Sequence, residues 1–85
     1  MVFGVEGEML ILVCQASGVP EPQIRWYHNE REIRPTGRVS MDRDSSLVIS
    51  NSELSDAGEY VCQADNGIGS LQSRTIEVSI YGKGS

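Results

Sequence analysis

The sequence predicts an all-β domain: two antiparallel sheets packed face to face as a Greek-key sandwich. Three observations carry that expectation. Apolar residues alternate with period two along most of the chain, with no helical stripe. Turn chemistry divides the chain into about seven short runs. Finally, Trp26 lies twelve residues after Cys14, and Tyr60 lies two residues before Cys62. In a two-sheet sandwich this spacing has a mechanical meaning: a disulfide crosses between the sheets, the indole packs against it, and the phenol pins the corner before the last hairpin.

The elements follow in order. From Glu8 to Ala16, Leu10, Leu12, Cys14 and Ala16 share one face, and Met9, Ile11, Val13 and Gln15 share the other. Ser17 to Pro22 is a turn, because proline fixes φ and Gly18 permits a sharp bend. Gln23 to His28 is a strand with Ile24 and Trp26 inward and Arg25 and Tyr27 outward. Asn29 to Glu32 reads as a polar turn, with Ile33 anchoring a short edge strand, and Pro35-Thr36-Gly37 breaks the chain again. Arg38 to Arg43 and Ser45 to Asn51 read as two strands joined around Asp44, the second with Leu47 and Ile49 on the core side. Ser52 to Ala57 is a corner, and Gly58 to Asp65 a strand with Tyr60, Cys62 and Ala64 inward. Asn66-Gly67 is a tight-hairpin signal, since both residues tolerate φ > 0. Leu71 to Tyr81 closes the domain with Ile76, Val78 and Ile80 on one face. Residues 82–85 read as a linker or appended tail, leaving 1–81 as a single domain.

A chain of 85 residues buries only about 60–65% of its unfolded surface, so the core is thin and a covalent staple would help. The two cysteines are too distant for a CxxC redox or zinc pair, and one histidine leaves no partners for a structural metal. If they bond, loop-closure entropy contributes roughly 4 kcal/mol, and an oxidising compartment follows. The net charge of −5 argues against nucleic acid or an anionic membrane as partner. The longest apolar run, Met9 to Cys14, is too short for direct membrane insertion. The opening Met1-Val2-Phe3-Gly4 lacks the form of a secretory signal, so a secreted parent would carry its signal outside this piece.

At this point the residues resemble an immunoglobulin domain of the intermediate, or I-set, type. The resemblance runs from about Val5 to Ile80. It rests on Glu6-Gly7-Glu8 before Leu12-Val13-Cys14, Gly18-Val19-Pro20-Glu21-Pro22 before Ile24-Arg25-Trp26, Ser46-Leu47-Val48-Ile49, Asp56-Ala57-Gly58-Glu59-Tyr60-Val61-Cys62, and Ala64-Asp65-Asn66 with Gly69. The Trp26–Cys62 interval is too short for the extra strand pair of antibody variable domains. The resemblance implies a Cys14–Cys62 disulfide, structural roles for Trp26, Leu47 and Tyr60, and an ion pair between Arg38 and Asp56 at the bottom of the sandwich. Two departures stand out. The family's first strand, ahead of Val2, is absent or cut to a few residues, which would leave Met9 to Val13 as an uncovered edge. Asn29-Glu30 also stands where the family usually has glycine, so a wider loop or a strained turn is expected.

Catalytic chemistry finds no footing. Acid–base and nucleophilic catalysis need a base within reach of its partner, and His28, the only histidine, reads as a solvated turn residue. No catalytic residue, cofactor-binding residue or metal ligand is assigned, and no cofactor is expected. Asp42-Arg43-Asp44 lacks the converging oxygens that calcium requires. Arg31, Arg34, Arg38 and Arg43 are balanced by Glu30, Glu32, Asp42 and Asp44, which leaves no heparin-like patch. No Asn-x-Ser/Thr sequon occurs, so carbohydrate is not expected to shield either sheet. The surface that remains is the outward face carrying Arg25, Tyr27, Glu59, Val61, Gln63 and Asp65; Tyr and Arg are enriched at interface hot spots. The loops Gly18–Pro22 and Asn66–Ser70 form a second candidate. The expected function is non-catalytic protein recognition or adhesion within a larger extracellular protein. The partner would be another protein or a second copy, with neighbouring domains in the same chain. The alternative is a structural spacer in a cytoplasmic, sarcomeric repeat protein.

Overall fold

The computed structural model describes residues 1–14, 22–42, 45–65, 67 and 71–82. Eight strands are present among them: β1 Val2–Val5, β2 Leu10–Leu12, β3 Gln23–His28, β4 Arg31–Glu32, β5 Val39–Met41, β6 Leu47–Ile49, β7 Gly58–Asp65 and β8 Gln72–Tyr81. They form a five-stranded sheet in the order β1-β8-β7-β3-β4 and a three-stranded sheet in the order β2-β6-β5. All pairs are antiparallel except β1 with β8, which run parallel with Val2 opposite Val78.

The alternation seen in the sequence decides what is inside. Leu10, Leu12, Cys14, Leu47 and Ile49 meet Trp26, Tyr60, Cys62 and Val78 between the sheets, and all are buried. Trp26 is fully enclosed; burying an indole NH without a partner would be costly, and its Nε1 donates to the Ser45 carbonyl at 2.8 Å. Cys14 and Cys62 are disulfide-bonded between the two layers, their Cα atoms 6.4 Å apart. Met9, Ile11 and Val13 face outward and are exposed. Strand β2 pairs with β6 on one side and forms an edge of its sheet.

Three expected strands are shorter in the structure, for local reasons. Ser45 and Asn51 take positive φ (62° and 51°), a left-handed conformation that ends a strand, so β6 keeps only Leu47–Ile49 of the expected Ser45–Asn51. Its neighbours are trimmed to match: β2 and β5 each ladder against three residues of β6. Beyond β5, Asp42 leaves the ladder to anchor a turn. Its backbone N–H donates to Ser46 O at 3.0 Å, and its Oδ1 accepts from Ser46 N–H at 3.0 Å. The expected polar turn Asn29–Glu32 is also narrower. Only Asn29 and Glu30 turn, with φ of 48° and 72°, and Arg31–Glu32 pair with β3 as β4.

Candidate functional site: the outer face of the five-stranded sheet and the corner beneath it

The corner is set by a short 3-10 turn, Leu54–Asp56, leading into β7. Tyr60 is inward-facing on β7, and its hydroxyl donates to the Asp56 carbonyl at 2.6 Å. The Asp56 carboxylate is buried and accepts Glu53 N–H at 2.7 Å and Arg38 Nη1 at 3.0 Å through Oδ2. Arg38, entering β5 from the opposite sheet, also donates to the carbonyls of Ser50 and Asn51 and lies 3.5 Å from Glu53. Burial alone would raise the Asp56 carboxyl. The hydrogen bonds from Arg38 and Glu53 and the guanidinium charge outweigh it and hold the group below its ordinary value. The same pair raises Arg38 through its hydrogen bond to Asp56. Burial, reinforced by the Asp56 charge, pushes the Tyr60 phenol up to about 12.

His28 departs from the expectation of a solvated turn residue. It is the last residue of β3, half-buried, with its ring stacked on Tyr60 at 4.2 Å between centroids and 7° between planes. Its Nε2 lies 2.9 Å from the Ala57 carbonyl; a carbonyl only accepts, so Nε2 carries the proton. Period-two alternation from Trp26 places His28 inward, and that signal was available in the sequence. The turn after it is held by Asn29, whose Oδ1 accepts Glu59 N–H at 3.0 Å. A Cβ on Gly58 would approach that Oδ1 to 2.7 Å, and Gly58 has φ +133°. Glycine is therefore required where β7 begins.

On the other side of the sheet, strand register builds the outer face. Arg25 stands opposite Gln63 and Tyr27 opposite Val61; Val61 in turn stands opposite Thr75, and Glu59 opposite Glu77. Glu32 extends the row from β4, opposite Tyr27. Arg25 and Asp65 are exposed, whereas Tyr27, Val61 and Gln63 are half-buried by their neighbours in the ladder. The five residues singled out from the sequence thus share one surface. Asp65 sits at its end, with Oδ1 accepting Gly67 N–H at 2.8 Å. The sequence reading missed how far this face extends. Phe3 on β1 stacks on Tyr81 of β8 at 5.6 Å, both rings more than half exposed. The outward parity of Tyr81 was visible, but its parallel neighbour was not. The second candidate, the loops Gly18–Pro22 and Asn66–Ser70, lies outside the described residues except for Pro22 and Gly67.

Residues 2–80 match the family model of the Immunoglobulin I-set domain. The chain belongs to that family. This I-set domain is 39% identical over 70 residues to Contactin-5 of Danio rerio, an alignment covering 82% of the domain and 7% of that protein. It is 37% identical over 71 residues to the Muscle M-line assembly protein unc-89 of Caenorhabditis elegans, covering 79% of the domain and 1% of that protein. The domain therefore spans a small fraction of the relatives it matches. Among solved structures it resembles the Titin M10-Obscurin like 1 Ig complex, with a TM-score of 0.90 and 26% identity, covering 99% of this chain and 88% of that one. Among the described residues, no group of three or more His, Cys, Asp or Glu side chains is placed to hold a metal ion.

Proposed function

We propose that this I-set domain is a non-catalytic protein-recognition module of a larger extracellular protein, of adhesive type, and that it binds through the outer face of the five-stranded sheet. The observation that carries the reading is the Tyr27–Val61 pair at the centre of that face, rimmed by Arg25, Gln63 and Asp65. An apolar centre with a polar rim is the anatomy of a protein interface. The disulfide suits an oxidising compartment, and kinship with Contactin-5 suits a cell-surface parent. A second reading has two observations in its favour. Kinship with unc-89 and likeness to a chain of the Titin M10-Obscurin like 1 Ig complex suit a spacer in an intracellular muscle protein.

Two measurements test the proposal. A thiol assay on protein from its native compartment separates the readings: no reactive Cys14 or Cys62 thiol is expected for the extracellular module, and two for the intracellular spacer. Replacing Tyr27 by alanine should weaken binding to the cognate partner by roughly tenfold or more, the range of a hot-spot truncation. Undiminished binding with an unchanged fold would move the contact to another surface.

A further inference from the structure

The charge of the outer face specifies the kind of partner it fits. Its outward positions include Glu32, Glu59, Asp65 and Glu77, against a single cationic side chain among the described residues, Arg25. Three of the chain's five net negative charges therefore sit on one sheet face. Two of these carboxylates, Glu59 and Glu77, stand directly opposite each other across the β7–β8 ladder. Like charges at directly opposed positions destabilise a sheet. Neither joins an ion pair among the described residues, where the ion pairs are those of Arg38, on the opposite sheet. Glu59 and Glu77 also flank a shallow depression of about 230 Å³, lined further by Met1, Gly58, Val78 and Ser79. That space takes the end of a long side chain between two carboxylates, next to the apolar centre at Tyr27 and Val61.

We infer that this face docks a different protein through a lysine- or arginine-rich patch, and that it does not pair with a second copy of itself. The inference rests on the recognition reading above and adds the chemistry of the partner. Two copies meeting face to face would bring eight carboxylates together against two arginines, a net of six negative charges; like-charge juxtaposition of this kind suppresses a wrong partner. A basic patch meets the opposite condition. It supplies the cations that Glu59 and Glu77 lack, and such complementarity raises association rates in a salt-dependent way.

The test is titration of the ¹⁵N-labelled domain with tetralysine, beside a dilution series of the domain alone. Amide shifts are expected to centre on Tyr27, Glu59, Val61 and Glu77, to fade as salt is added, and to be absent from the dilution series. A Glu59→Gln/Glu77→Gln variant, which leaves the apolar centre intact, should bind tetralysine about three- to tenfold more weakly. Concentration-dependent shifts at Tyr27 and Val61 without a tetralysine response would overturn the basic partner and leave the recognition face standing as a self-contact. Tetralysine shifts centred on Glu6 and Glu8, or an unchanged affinity in the double variant, would also overturn it. The Tyr27→Ala measurement would then decide the broader reading by itself.

Discussion

The corner around Asp56 and the outer face around Glu59 and Glu77 both carry carboxylates on or beside β7, yet they are built on opposite terms. At the corner the Asp56 carboxylate has a donor for each oxygen: Arg38 Nη1 and the Glu53 amide meet Oδ2, and Arg38 Nη2 meets Oδ1 at 3.5 Å. On the outer face two carboxylates oppose each other across the ladder, and neither joins an ion pair among the described residues. The first arrangement contributes to folding. The second costs stability, and a cost of that kind at an exposed surface is what a binding site tolerates. Dense internal satisfaction therefore marks the scaffold, and unsatisfied charge marks the surface available to a partner.

The largest effect expected from breaking this contrast is at Asp56. Asp56→Ala strands the Glu53 N–H and takes the buried carboxylate from Arg38, which keeps the Ser50 and Asn51 carbonyls and Glu53; a loss of about 2–3 kcal/mol is expected in chemical denaturation. Binding through the outer face should be unaffected. The sign of the pH dependence follows from the lowered carboxyl. The folded state holds the proton less readily than the unfolded chain, so the contribution is full above the unfolded value near 4. It is lost as pH falls through the lowered folded value. The variant should show a flatter acid limb than the wild type.

Much of the scaffold was legible in the chain, because burial enforces alternation: the inward positions of β7 and β3 could be assigned from Trp26, Tyr60 and Cys62 alone. The Arg38–Asp56 contact came through resemblance, since residues eighteen apart, one just before β5 and the other in the turn before β7, leave no local signal. The ends of β6 were not legible. Serine at position 45 and asparagine at 51 are compatible with a strand, and only the fold forces them left-handed. His28 was misjudged by weighing its polar neighbours Asn29 and Glu30 above its parity. The opposition of Glu59 and Glu77 depends on register, which is fixed by pairing across the whole β7–β8 ladder and cannot be read from either strand.

A smaller effect is expected at Tyr60, from the alkaline side. An ordinary phenol releases its proton near 10, whereas burial holds the Tyr60 proton until about 12. Between those values the folded state binds more protons than the unfolded one, so stability falls as pH rises through the window, by on the order of 2 kcal/mol. Tyr60→Phe should flatten that alkaline slope, because the exposed Tyr81 and the half-buried Tyr27 remain in both proteins. It should also lose about 1 kcal/mol at neutral pH from the missing bond to the Asp56 carbonyl. An alkaline slope unchanged by the substitution would assign the loss to other groups.

The smallest effect bears most directly on function. Glu77→Gln removes one of the two opposed charges and keeps a side chain of similar size, so the fold should become more stable, by ~0.2–1 kcal/mol. A charge-relief mechanism adds a second condition. Salt screens repulsion between exposed groups, so the stability gap between wild type and variant should narrow as salt is added. A packing effect would leave the gap constant. The same substitution should weaken tetralysine binding, and the two signs together are informative. A residue that reduces stability and supports binding belongs to the recognition surface, as the comparison with Asp56 requires. A Glu77→Gln domain that is less stable would place Glu77 with the scaffold instead, and would remove the physical reason for reading the outer face as the acidic half of a contact.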